Sequence, residues 1–293
     1  MWQAVFVRDA LLRAHSGLHI ELVGITTEGD RTLDVPLAEK GGKGLFLKEL
    51  EQALLDGRID LAVHSMKDVT VTEPDGLHIP VICEREDPHD ALVSTRFGDL
   101  CELPDGAVVG TCSLRRQSLL RYRFPQLKVE NLRGNVNRRL QRLDDGDFDA
   151  IILAAAGLLR LQMAGRIRQR IPTGIMLPAV GQGAVGVQCR ADDAKTTSLL
   201  APLDHVPTHA RITAERAANV HLGGGCHLPI GAFAEIEGEQ LRLRGLVGRP
   251  DGSEILFASA KGLVSEAEAV GHTLADDLLG QGAKALLQEF ANA

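Results

Sequence analysis

Apolar residues along this chain follow two periods, and glycines mark where one gives way to the other. Residues 17–26, "GLHIELVGIT", alternate and are rich in branched side chains, so they predict a strand. "KGLFLKELEQALLDGR" has helical spacing, with Leu45, Leu47, Leu50, Ala53 and Leu54 apolar and Gly57 at its stop. "IDLAVHS" and "GLHIPVICE" read as two further short strands. Strand, helix, strand predicts βαβ units on a parallel sheet.

Residues 84–106 are polar and turn-rich around one short strand, which suits a crossing between domains. The pattern then restarts. "AVVGT" and "LKVENL" predict strands, each followed by a helix, "SLRRQSLLRYRF" and "NVNRRLQRLDDG". "DAIILAAAGL" predicts a long apolar strand running into a turn. The Gly-rich "LPAVGQGAVGVQCR" returns the chain to the first sheet, and "THARITAERAANVHL" is a helix ending at a triple glycine. Beyond it the period shortens again. Residues 230–262 predict strands with tight turns, including "PDG", where Pro fixes φ and Gly accepts a positive one. A final amphipathic helix with a Gly-rich interruption closes a small α+β unit. Two α/β units joined by crossings form a cleft, and ligands of such sheets bind beyond the strand ends, next to helix N-termini.

At 293 residues, 44% hydrophobic and 24% charged, the chain is in the soluble globular class. No window reaches 18 apolar residues and the N-terminus does not read as a signal peptide, so a cytoplasmic location is expected. The five cysteines are scattered and include no CxxC pair, which disfavours a disulfide framework and a closed zinc site. Charge changes the picture more. Residues 111–170 hold 13 Lys and Arg against 5 Asp and Glu, a local +8 in a chain of net charge −7. An acidic protein with one basic district is expected to bind a small polyanion there. With one Trp, one Tyr and eight Phe, it offers few stacking groups for nucleic acid.

"LAVHSMKDV" puts His64, Ser65, Lys67 and Asp68 at a strand end, where a lone carboxylate can hold a proton or stabilise a cation; capping a helix is the alternative role for Asp68. "GTCSLRRQ" is a strand-to-helix junction. Thr111 and Ser113 offer hydroxyls, while Arg115 and Arg116 oppose the helix dipole unless an anion sits there. "NLRGNVNRRL" repeats the arrangement with Arg133, Gly134, Arg138 and Arg139, and Arg160 follows the third strand. Arginines after three parallel strands converge on one rim, and guanidinium forks suit carboxylates and phosphates. Arg121, Arg123 and Arg142 are the better candidates for ordinary surface charge. "EKGGKGLF" lacks the spacing of a phosphate loop and reads as a Gly-rich lid carrying Lys43. In "NVHLGGGCHLPIGAF", Cys226 follows three glycines. A zinc site with His221 and His227 lacks further ligands, and His227, its chain neighbour, is a poor base for the thiol. Glycines let a bulky group approach the sulfur, so covalent attachment is open beside a plain filler role.

Taken in order, "GGKGLFLKELEQALLDGRIDLAVHSMKDV", "ICEREDPHDALVS", "VGTCSLRRQ", "LRGNVNRRL", "DAIILAAAGLLRL", "LPAVGQGAVGVQCR", "TAERA" and "GGGCHLPIGAF" resemble the porphobilinogen deaminase family over essentially the whole chain. The resemblance implies two α/β domains like the halves of a periplasmic binding protein, plus a small C-terminal α+β domain. It sets them at residues 1–84 with 183–202, 89–178 and 206–293. It implies a transferase that condenses four porphobilinogen molecules into linear hydroxymethylbilane with loss of ammonia, as a monomer, without metal, membrane or nucleic acid. Cys226 matches the cysteine that holds a dipyrromethane cofactor by a thioether. Lys43, Thr111, Ser113, Arg115, Arg116, Arg133 and Gly134 match cofactor-side positions. Arg139, Arg160 and Gln182 match the substrate side, with Gln182 also near the interdomain hinge. Asp68 matches the catalytic aspartate, which stabilises the cationic azafulvene left by ammonia.

The family starts with a strand ending in an arginine near a serine, whereas here Met1 stands directly before Trp2, Gln3 and Ala4. A misassigned start codon or a trimmed chain accounts for this better than a natural variant, and restoring the strand is expected to raise turnover. Arg138 stands where the family often has Thr, and Gly223 where it often has an acid. The competing reading is a two-lobed protein that binds an organic anion without reacting. Such a protein has no use for Asp68 or Cys226.

Overall fold

The computed structural model describes residues 1–27, 47–225 and 228–291. Helix α1 (Trp2–Ala14) is followed by α2 (Lys48–Leu55), then strands β1 (Leu61–Ser65) and β2 (Leu77–Ile82). Strand β8 (Val185–Arg190) lies between β1 and β2 and runs antiparallel to both. The parallel first sheet expected from the strand–helix–strand pattern is therefore corrected. β1 and β2 do run the same way, but the chain comes back from the second unit to fill the place between them. Its strand is apolar and buried along five of its six residues, as a central strand must be.

The strand predicted at residues 17–26 is also corrected. These residues have no ladder partner among the described residues. Leu18 and Ile20 pack against Val7, Leu11 and Val187 instead, so the alternation yields burial without pairing.

The second sheet has the order β5-β4-β6-β3-β7. It comprises β3 (Asp90–Val93), β4 (Val108–Gly110), β5 (Lys128–Glu130), β6 (Ala150–Ala154) and β7 (Gln169–Ile171). Here β4 pairs parallel with β5 and β6, as the repeated strand–helix pattern predicts, while β3 is antiparallel to β6 and β7. Helix α3 (Leu114–Arg123) follows β4 and α4 (Val136–Asp144) follows β5. After β6 comes α5 (Ala155–Arg160), a helix where the apolar run predicted a turn. Three alanines at 154–156 carry the chain from strand to helix without a side chain to obstruct the change. Apolar clusters lie on both faces of this sheet, one under Leu119 and Leu120, the other under Leu140 and Leu143.

After β8 come α6 (Ala194–Leu200) and α7 (Val206–His221), the latter with Pro207 in its first turn and the triple glycine at its end. Strands β9 (Ile230–Glu237), β10 (Gln240–Gly248) and β11 (Ile255–Leu263) form an antiparallel meander. Helices α8 (Ala267–Gly280) and α9 (Ala283–Ala291), split at the predicted Gly-rich interruption, cover one face with α7. No helix among the described residues is long and apolar enough to cross a membrane.

Candidate active site

Two segments pass between the sheets, residues 83–89 and 177–184, and they touch. Glu86 N–H donates to the Gly183 carbonyl at 3.0 Å. Gly183 has φ +88, and a Cβ there would collide with the Glu86 carbonyl, so only glycine allows the crossings to lie side by side.

Buried charge holds this junction. Asp90, at the start of β3, is fully buried. It accepts from Arg115 Nη1 at 2.8 Å and from Arg116 Nε at 3.0 Å and Nη2 at 2.7 Å. Gln182 Nε2 adds a bond at 3.0 Å. Burial alone would push the Asp90 carboxyl up. The guanidiniums of Arg115 and Arg116 more than reverse this and hold it well below the usual carboxylate range. Glu215 of α7 is equally buried and accepts from Arg85 Nη1 (2.6 Å), Gly181 N–H (2.8 Å) and Ala234 N–H (2.9 Å). One carboxylate thus joins both crossings to α7 and β9.

These contacts redistribute the arginine district. Arg115 and Arg116 do meet an anion at the α3 N-terminus, but that anion is Asp90 of the chain itself. Both side chains are buried, with Leu177 and Ile152 carbonyls as further acceptors. Gln182 is 1% exposed, and its amide is committed to Pro88 and Asp90. It thus joins the crossings, where the interdomain hinge is expected. Arg121 also leaves the surface-charge group, since it donates to the Pro250 and Val129 carbonyls and ties α3 to the β10–β11 turn.

A second arginine group lies open. Arg139 of α4 is half-buried and donates through Nε to the Gly134 carbonyl at 2.6 Å. Burial pushes its pKa down, Cys112 and Asp68 push it up, and Arg116 and Arg133 push it down. Asp68, on the first sheet, and Arg116, Arg133 and Arg139, on the second unit, therefore share one field. Gly134 takes φ +108, and Asn135 caps α4 by accepting from Arg138 N–H at 2.9 Å. Arg160 ends α5, donates to the Gly183 carbonyl at 2.7 Å, and lies 5.4 Å from the Trp2 ring centre. Its Nε is buried without a partner. Neither Arg139 nor Arg160 bonds a carboxylate among the described residues.

Asp68 closes a three-residue 3-10 turn after β1. It is exposed and makes no side-chain hydrogen bond among the described residues, so the helix-capping alternative falls away. Beside it, Ser65 accepts from Gln3 of α1 at 2.7 Å. His64 points into the core against Gln188 at 3.0 Å, and burial lowers its pKa to about 4. Thr111 is buried and its hydroxyl accepts from Ser113 N–H at 3.3 Å, while the Ser113 side chain makes no cap bond. Lys43, Cys226 and His227, with the rest of "EKGGKGLF", lie outside the described residues.

A family model described as porphobilinogen deaminase, dipyrromethane cofactor binding domain, matches residues 1–198, and one for its C-terminal domain matches residues 209–280. The chain belongs to the porphobilinogen deaminase family. Membership places it in tetrapyrrole biosynthesis, with dipyrromethane as its cofactor. Solved structures similar to this chain include substrate-binding proteins and a periplasmic sensor domain. One is an ABC transporter periplasmic substrate-binding protein from Coxiella burnetii (15% identity, 69% of this chain, 86% of that one, TM-score 0.43). Another is a nutrient-binding protein from Burkholderia cenocepacia bound to methionine (15%, 68%, 86%, 0.42). A third is the BvgS VFT2 domain of Bordetella pertussis (19%, 68%, 75%, 0.40).

The donor set of the described residues fits a polycarboxylated dipyrromethane. Among those residues Arg139 and Arg160 donate to carbonyls and to no carboxylate, and they hold their charge partly out of water, which suits anions from outside. Sequence reading overlooked Arg85, Asp90 and Glu215. The signal was there in an acid opening the apolar "DALV" and another set among alanines in "AERAA", because an acid in an apolar run must find a buried cation.

Proposed function

We propose that the chain condenses four porphobilinogen molecules head to tail into hydroxymethylbilane, with the dipyrromethane held by a thioether to Cys226. The carrying observation is Arg139: a half-buried guanidinium that, among the described residues, bonds a carbonyl and no carboxylate, and that feels the charge of Asp68. The reading divides the chain into residues 1–84 with 183–202, 89–178 and 206–293. Membership of the three sheets supports that division.

In each addition the bond from the substrate's aminomethyl carbon to nitrogen breaks and ammonia leaves. That carbon then bonds a pyrrole carbon, which gives up its proton. When bound, dipyrromethane supplies the first such pyrrole carbon. Asp68 accepts the pyrrole N–H of the incoming substrate and offsets the positive charge that grows as ammonia departs. Its exposure leaves both carboxylate oxygens available for this. Arg139 and Arg160 hold substrate acetate and propionate groups, with Lys43, Thr111, Ser113, Arg133 and Gly134 on the cofactor side. Arg115 and Arg116 act mainly by fixing α3 through Asp90, and Arg116 adds to the field at Arg139.

Intact-mass spectrometry tests this reading. The purified chain should be heavier by two linked pyrroles, and Cys226→Ser should lose the adduct. Asp68→Ala should keep the adduct and lose bilane formation. An unmodified, folded chain that binds organic acids would favour the non-catalytic alternative, and normal output from Asp68→Ala would remove that residue from the chemistry.

A further inference from the structure

Away from the gap between the first two sheets, a cavity of about 370 Å³ opens between α3 and the C-terminal sheet. Leu119, Ile175 and Leu177 give it an apolar floor, and Arg123 and Arg244 are its charged residues. No acidic side chain lines it. Arg123, in the last turn of α3, is exposed and makes no hydrogen bond or ion pair among the described residues. Arg244, on β10, is held by one nitrogen. Its Nη2 donates to Thr173 Oγ1 at 2.8 Å and to Glu235 Oε2 at 2.9 Å, while its Nε is buried with no partner. Glu235 is half-exposed, so it neutralises this cation only weakly.

We propose that this cavity binds a small aromatic carboxylate. Two guanidiniums with no lining acid select an anion, and their planar forks match a carboxylate. The apolar floor selects the body that carries it. A cavity of roughly 150 Å³ holds one benzene ring, so this one has room for one or two fused rings. The Phe257 ring, 42% exposed at the rim and 6.4 Å from Tyr122, offers a face on which such a ring can stack. The site joins the second α/β unit to the C-terminal sheet, and it stands whether or not the proposed condensation holds.

The test uses the full chain and 1-naphthoate as fluorescent probe, with uncharged 1-naphthalenemethanol as its isostere. Naphthoate should bind saturably at one site, at least tenfold tighter than the alcohol. Arg244→Met should weaken it at least tenfold and Arg123→Met several-fold, while Arg139→Gln should leave it unchanged. Non-saturable binding, equal affinity for the alcohol, or unaltered binding in Arg244→Met overturns the site. So does loss of binding in Arg139→Gln, which would put the probe in the gap between the sheets. Should Arg244→Met not fold, Arg123→Glu sets an acid at the exposed rim, and wild-type binding by that variant overturns the proposal equally.

Discussion

Arg115 and Arg116 on one side, Arg139 and Arg160 on the other, are the same side chain put to opposite uses. The first two are buried around Asp90, whose carboxylate they share, and each also donates to a backbone carbonyl, although Arg115 Nε is buried without a partner among the described residues. The second two are partly exposed and, among the described residues, donate to carbonyls and to no carboxylate. A buried cation with its acid in place is finished as structure. A cation lacking one keeps its charge for something that arrives. Local sequence does not separate Arg115 and Arg116 from Arg139, since "LRRQ" and "NRRL" look alike. The difference lies in Asp90, a distant acid on a strand of the same sheet.

The comparison can be broken hardest at its anchor. Asp90→Asn removes the charge shared by two buried guanidiniums and should cost about 3–5 kcal/mol in denaturant unfolding, or prevent folding. A cost below about 1 kcal/mol would mean that these arginines are not truly desolvated. Acid titration reads the same anchor. Asp90 has a depressed folded pKa, so its contribution is complete above the ordinary carboxylate value and is lost as pH falls through the folded one.

His64 acts earlier in that titration. Its folded pKa of about 4 lies below the ordinary histidine value of 6.5, so the unfolded chain takes up the proton first. Stability should fall by roughly 3 kcal/mol as pH drops from 6.5 to 4, and His64→Gln should flatten that slope.

On the open side, Arg139→Gln should cost under about 1 kcal/mol of stability, because no buried partner is orphaned, yet weaken porphobilinogen binding at least tenfold. Equal stability losses for Asp90→Asn and Arg139→Gln would erase the distinction. The smallest effect is expected at Arg166, whose pair with Asp144 lies at the surface. Arg166→Ala should shift the unfolding free energy by less than about 0.5 kcal/mol.

Much of the fold was legible. The parallel β4–β5–β6 core, the helix ending at the triple glycine and the C-terminal meander each follow from a local period. Sheet partners were less so. Nothing in "LAVHS" or "GLHIPVI" says that a strand more than a hundred residues later will lie between them. The alternating run at 17–26 shows the converse, since alternation specifies a buried face and leaves the ladder partner unspecified. For the site, motif order singled out Asp68, Arg139 and Arg160 from the sequence. The packing of Gln182 was not legible there, because only the fold brings its amide to Pro88 and Asp90.

Glu215 draws together both crossings and β9 from the middle of α7, and that helix runs on about 10 Å to the glycines before Cys226. A rod pinned partway along behaves as a lever. Flexing at the crossings therefore carries over into displacement at the far tip, where a tilt of ten degrees moves it by roughly 2 Å. The linkage that joins the crossings to α7 is thus also the one that moves the end of that helix.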